Sequence, residues 1–361
     1  VLTAPIRYSP DLEHVQDNEA ETDASLEKSF DHILHTTAKD YGRPVRAVHA
    51  KAHGLFEGTF TIDAHLPPEL AQGLFATPGS YRASFRVSTN PGDILDDNVV
   101  LPRGLALKVE GVPGEFVAEA EGDAQDFLMV NSPVFAAPSA DKFAGKLKLL
   151  AATTDRAPGA KVALSTVLGF INSALGKVGL ESGALAAMGG APQVHPLGET
   201  YFSTTPFRFG DHVAKFRLRP LSPALTALTG QVIDTKGRPD GLRETIRQDA
   251  AGLTGEWAFE VQLLRDLGQQ PVEDASVEWP EEVSPFVQVA TLRMEPQDSW
   301  SADKVQRIDE TLHFSPWNAL AAHRPLGGIN RARRRAYRQS STFRVAMQQG
   351  CPVAHAEEAA N

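Results

Sequence analysis

Three short segments bring together side chains that could do acid–base or ligand chemistry. The first is Arg46-Ala47-Val48-His49-Ala50-Lys51. The second is Phe85-Arg86-Val87-Ser88-Thr89, followed by Pro102-Arg103-Gly104-Leu105-Ala106-Leu107-Lys108. The third is Arg333-Arg334-Arg335-Ala336-Tyr337, with Arg344 seven residues beyond the tyrosine. An imidazole such as His49 titrates near neutrality and can both take and return a proton. A phenol has a pKa near 10, but in a helix Arg333 sits one turn before Tyr337, and a neighbouring guanidinium favours the phenolate. Arginine forks suit carboxylates, so Arg46, Arg86 and Arg344 are candidates to hold an anionic ligand. Plainer readings stand beside these. His49 is one of 11 histidines, and Arg331, Arg333, Arg334, Arg335 and Arg338 also fit a solvated or nucleic-acid-binding face.

Strands and helices must position these groups. Tyr81, Ala83, Phe85 and Val87 alternate with Arg82, Ser84, Arg86 and Ser88, the period of a half-buried strand that puts Arg86 and Ser88 on one face. The same alternation recurs at Ala214-Phe216-Leu218 and at Trp257-Phe259-Val261-Leu263, and Val287, Val289 and Thr291 suggest a further strand. Phe30, Ile33 and Leu34 suggest a helix or arm near the N-terminus, and Leu242 and Ile246 share a helical face. Residues 160–190, rich in Ala, Gly and Leu, have helical spacing and are a candidate entrance for a bulky apolar substrate. An arginine-dense helix follows Gly327-Gly328. The fold class expected is α+β, an antiparallel β-barrel core with surrounding helices. The expected organisation is an N-terminal arm over 1–40, one domain over 41–345 and a polar tail over 346–361.

Taken together, the three segments resemble the catalase superfamily. Arg46, Val48 and His49 match that family's Arg-x-Val-His-Ala stretch, Arg86 and Ser88 its Arg-Phe-Ser strand, and Arg103, Gly104, Ala106 and Lys108 its Arg-Gly-x-Ala-x-Lys signature. Arg333, Tyr337 and Arg344 have the spacing of its iron-binding helix. Asp126 through Phe135, Phe143, Trp279-Pro280 and Phe314-Ser315-Pro316-Trp317-Asn318 echo further stretches in the same order. The match runs over roughly 41–345, without the long arm or appended C-terminal domain of large catalases, so the resemblance is to the small, core-only members.

That resemblance implies haem b, buried between the barrel and the C-terminal helix, with Tyr337 as the metal ligand and Arg333 behind it. The general pattern of tyrosine-ligated haem in catalase is an established one. It implies that Arg46, Arg86 and Arg344 hold the propionates, that Val48, Ser88, Val130, Phe135 and Phe143 also contact the haem, and that His49 and Asn131 are catalytic. His49 would handle the peroxide proton, with Ser88 orienting its ring. His53 and His65 lie nearby in sequence without matching a motif. The family's distal asparagine falls on Val130, while Asn131 matches the second member of an Asn-Asn pair; one residue along a strand reverses the face. Without the distal amide, peroxidase activity on hydrogen peroxide or an organic hydroperoxide, with an organic reductant, is favoured over disproportionation. The alternatives are an isomerase or lyase of fatty-acid hydroperoxides, whose relatives commonly carry threonine where Val48 stands, and a non-enzymatic haem sensor.

Composition narrows the setting. With 361 residues, 42% hydrophobic and 22% charged, the chain can build a sizeable core. A net charge of -10 argues against nucleic-acid binding by the protein as a whole. No apolar run is long enough to span a membrane. The opening residues lack a secretory pattern, and the lone Cys351 excludes an internal disulfide. A reducing, cytoplasmic setting is therefore expected, and homo-oligomer formation is left open.

Overall fold

The alternating segments become a closed barrel in the computed structural model, which describes residues 2–154 and 193–350. The strands are β1 (Ala52–Ile62), β2 (Gly79–Thr89), β3 (Arg103–Val109), β4 (Gln125–Val130), β5 (Tyr201–Phe202), β6 (Phe207–Phe209), β7 (His212–Pro220), β8 (Gly255–Leu263) and β9 (Val287–Met294). Hydrogen bonding runs β5-β4-β3-β2-β1-β9-β8-β7, and β7 pairs back to β5, so eight antiparallel strands form a ring without edges. Strand β6 pairs with β7 as a short hairpin outside that ring. Inward positions are filled by aromatic rings, among them Phe60, Phe127, Phe216, Phe259 and Trp257, all fully buried. Phe127 and Phe259 lie with ring centroids 4.7 Å apart. The interior is a packed core and not a channel.

Among the described residues, four helices of ten or more residues dress the outside: α1 (Glu19–Tyr41), α2 (Ala140–Thr154), α3 (Gly241–Ala250) and α4 (Gly328–Gln348). Leu242, Ile246 and Ala250 form the buried stripe of α3, as their spacing predicts. Helix α1 buries Leu26, Phe30 and Leu34 in a second cluster with Ile329, Ala332 and Phe343 of α4. In α4, Arg331 is ringed by Glu13, Glu19 and Glu273, Arg334 pairs with Glu119, and Arg335 pairs with Asp23 and Glu27. Carboxylates of this same chain thus answer three of the guanidiniums that could have formed a nucleic-acid face.

The further strand expected around Val287, Val289 and Thr291 is β9. In β9, Leu292 and Ala290 lie opposite Trp257 and Phe259 and point inward, while Thr291 lies opposite Ala258. The register shifts between Phe259 and Glu260, where Val289 is the extra residue on β9, and Val289 and Ala290 are both buried. The stretch 160–190, with its expected role at an entrance, and Cys351 lie outside the described residues. Among the described residues no helix is long and apolar enough to cross a membrane.

Candidate active site

A cavity of about 340 Å³ lies between the outer wall of β2, β3 and β4 and the helices α1, α2 and α4. Every residue singled out above for catalysis or cofactor contact lines it: Arg46, Val48, His49, Arg86, Ser88, Val130, Asn131, Phe135, Phe143, Arg333, Tyr337 and Arg344. The alternation of β2 accounts for two of them. Phe85 and Val87 fill the barrel, so Arg86 and Ser88 must face outward toward the helices. Phe135 and Phe143 pack together, ring centroids 5.2 Å apart, on the apolar part of the lining with Leu26, Phe30 and Leu147.

His49 stands on the barrel side. It occupies the left-handed region, φ 55°, unusual for a side-chain-bearing residue. Its N–H donates to the Asn90 carbonyl at 2.7 Å, which fixes the bend. The ring Nδ1 lies 3.1 Å from Ser88 Oγ. Burial, reinforced by Arg86, Arg333 and Arg46, pushes the imidazole pKa down to about 3. The ring is therefore neutral across the physiological range and has a lone pair to offer. His53, by contrast, is buried against Thr89 at 3.2 Å and is not part of the lining, and His65 lies exposed.

Val130 and Asn131 both reach the cavity, but their polar capacity differs. Asn131 Oδ1 accepts from the Arg103 N–H at 2.8 Å, and its amide nitrogen donates to Glu199 at 2.9 Å. Glu199 also holds the Arg103 guanidinium by a bidentate pair. Both ends of the Asn131 amide are thus committed to the barrel wall. Val130 is the direct cross-strand partner of Gly104 and brings an isopropyl group to the lining. The signature around Gly104 is largely structural, because Lys108 is likewise spent on buried Asp126 at 2.6 Å.

Three arginines converge on one carboxylate that sequence reasoning missed. Asp309, on the π-helical segment Val305–Thr311, accepts from Arg46 and from Arg86, each at 2.8 Å. Arg344 joins them, bonding the Glu310 carbonyl at 3.1 Å and His313 at 3.0 Å, while its buried Nε has no partner. Burial pushes the Asp309 carboxyl up, but Arg86 and Arg46 outweigh it and hold it at about 2. Burial and Arg86 bring Arg344 down to about 10, and Arg46 is lowered by burial and by both other arginines. Three cations against one anion leave a surplus of two positive charges on this wall.

Tyr337 and Arg333 face the cavity from α4, one turn apart. Among the described residues the Tyr337 hydroxyl has no hydrogen-bond partner. Burial raises its pKa, and Arg333 lowers it by less, so the expected bias toward phenolate is present but does not win in the protein alone. Among the described residues Arg333 Nη1 meets only neutral acceptors, Asn330 Oδ1 at 3.3 Å and Thr205 Oγ1 at 3.4 Å, and the guanidinium lies over the Phe135 ring. The donor set therefore suits a mostly apolar group that carries negative charge and takes one oxygen ligand.

A pH dependence follows from His49. Its folded pKa lies below the ordinary 6.5, so its neutral form contributes stability that is complete above pH 6.5 and lost as pH falls toward 3. The differential is roughly 1.4 kcal/mol per pH unit within that window. His49→Ala should therefore gain stability relative to the parent on acidification. Thermal melts of both proteins from pH 7 to pH 4 check this; a constant difference would show that the ring is not buried neutral.

No protein-family model matches the chain, and no curated protein matches it either. Solved structures do. A fungal catalase superposes with a TM-score of 0.61 at 18% identity, covering 88% of this chain and 62% of the catalase. The fold is catalase-like. Catalase A from Saccharomyces cerevisiae gives a TM-score of 0.59 at 17% identity over 86% of this chain and 64% of its own. A bacterial catalase gives 0.59 at 16% identity over 95% and 63%. The chain thus spans less than two thirds of the length of these catalases. In this catalase-like fold the eight-stranded ring supplies Ser88 and Val130 to one wall of the cavity, the bend before β1 brings His49 to the same wall, and α4 supplies Tyr337 and Arg333 to another.

Proposed function

We propose that this chain is a haem-dependent oxidoreductase that cleaves hydrogen peroxide or organic hydroperoxides, with peroxidase activity favoured over disproportionation. One observation carries the reading. A neutral, serine-anchored imidazole and an unpartnered phenol line the same cavity, beside a cationic wall with two charges to spare. These residues fit haem b. Arg46, Arg86 and Arg344 would answer its two propionates, Tyr337 would ligate its iron, and Phe135 and Phe143 would border the ring. Bound there, haem supplies a redox-active iron at which a peroxide O–O bond is cleaved.

The residues of the chain manage the proton. With Nδ1–H donating to Ser88 Oγ, the lone pair of His49 rests on Nε2, where it takes the peroxide hydroxyl proton and returns it to the departing oxygen. The low basicity of the buried ring suits the second half of that task, since a weakly held proton is readily released. Arg333, with no carboxylate to answer, leaves its charge available to a Tyr337 phenolate. Asn131 plays a structural part in this reading, because its amide is already spent.

Val130 then decides the balance of activities. Disproportionation handles two peroxide molecules inside the pocket, whereas an organic reductant can deliver electrons from outside it. An isopropyl group gives a peroxide nothing to bond, and a positioned hydrogen bond is worth about 1 kcal/mol, more where charge develops. Val130→Asn is expected to raise oxygen evolution from hydrogen peroxide relative to dye oxidation, measured by oxygen electrode at equal haem loading. A catalase-fast parent that loses activity in Asn131→Ala would overturn the assignment. The reading as a whole is tested by the optical spectrum of the purified protein followed by peroxide titration; a purified protein that takes up haemin without a Soret band ends it. Conversion of a lipid hydroperoxide without consumption of any reductant would instead support the isomerase or lyase alternative.

A further inference from the structure

Strands β2, β3 and β4 place Ser88, Gly104 and Val130 in one cross-strand row, each opposite the next. Directly opposed residues project to the same face. A side chain at 104 would therefore stand between the Ser88 hydroxyl and the Val130 isopropyl group. His49 fills that space instead. A Cβ built on Gly104 falls 2.4 Å from its Cε1, 2.7 Å from its Nδ1 and 3.4 Å from its Nε2, and these are the three nearest atoms. No backbone atom is among them. The φ of Gly104 is not positive, so its conformation is open to alanine. Glycine inside a strand weakens it, and here the chain's own geometry does not require one.

The imidazole has nowhere to retreat. Its backbone is held at positive φ by the Asn90 carbonyl, the next N–H donates to the Pro91 carbonyl at 3.0 Å, and Nδ1 is tied to Ser88. A methyl group at 104 would therefore lift the ring off the barrel wall and turn Nε2 away from its present aim. We propose that Gly104 is a positioning residue whose missing side chain is the seat of the His49 imidazole. Its catalytic consequence rests on the peroxide chemistry proposed for His49; the seat itself does not.

A double-mutant cycle on stability tests the seat without reference to activity. His49→Gly suits the positive φ at that position and empties the seat. Thermal melts of the purified protein should show Gly104→Ala lowering Tm by several degrees in the parent and by little, or not at all, in the His49→Gly background. Folding of Gly104→Ala only in that background would support the seat equally. The same Tm loss in both backgrounds would overturn it. Activity supplies the second readout. Gly104→Ala should slow peroxide cleavage at least tenfold with haemin affinity unchanged, and added imidazole should restore cleavage to His49→Gly but not to the double variant. Gly104→Ala cleaving within threefold of the parent would overturn the positioning role. If His49→Gly cleaves as fast as the parent, the peroxide reading falls, and the stability cycle still decides the seat.

Discussion

His49→Ala is expected to slow peroxide cleavage by roughly 10²–10⁴, the usual worth of a positioned acid–base group, while haem uptake stays close to that of the parent. The prediction follows from where the ring sits. Its pKa, pushed down to about 3, keeps the ring neutral at neutral pH, and with Nδ1–H donating to Ser88 the lone pair is on Nε2. Among the groups on that wall, Val130 offers no proton acceptor and the Asn131 amide is engaged with Arg103 and Glu199. Stopped-flow rates of the first peroxide step, compared at equal haem loading, are the measurement. Rates within a few-fold of the parent would sink the assignment.

Tyr337→Phe should have the other large effect, loss of haem or a strongly altered ferric spectrum. The unloaded protein should be about as stable, since the hydroxyl removed faces the cavity and bonds no other described residue. That pairing separates a ligand from a packing residue: haem affinity collapses while the melt of the unloaded protein does not. Arg333→Leu should weaken ligation less, because it removes the charge beside the phenol and not the phenol oxygen. An unaltered spectrum in Tyr337→Phe would rule out the ligand role.

Much of this site was legible because local periodicity carries direction. The alternation around Phe85 put Arg86 and Ser88 on one strand face, and the spacing of Arg333 and Tyr337 put both on one turn of α4. Other parts depend on long-range register. Whether Val130 or Asn131 offers an amide to the pocket turns on the pairing of Val130 with Gly104 and on Glu199, 68 residues beyond Asn131. Asp309 carries no motif, and its partners Arg46 and Arg86 lie 263 and 223 residues away. Gly104 was noticed as part of a signature, but nothing in a sequence says that a glycine is small for the sake of a ring 55 positions earlier.

The cavity lies outside the barrel, so the apolar core beside it is separate from the one that fills the barrel. The larger, aromatic one is sealed by a ring of strands without an open seam, and the smaller one binds α1, α2 and α4 to that ring and to one another. Nothing in the barrel interior must move for a planar group to enter. Loading should therefore proceed by hinging of the helical layer, with its amides exchanging hydrogen at a lower free energy than those of the strands. A late-arriving cofactor would then meet a finished barrel wall, with His49 already in place, and its uptake would clamp the helices down as the last event of maturation.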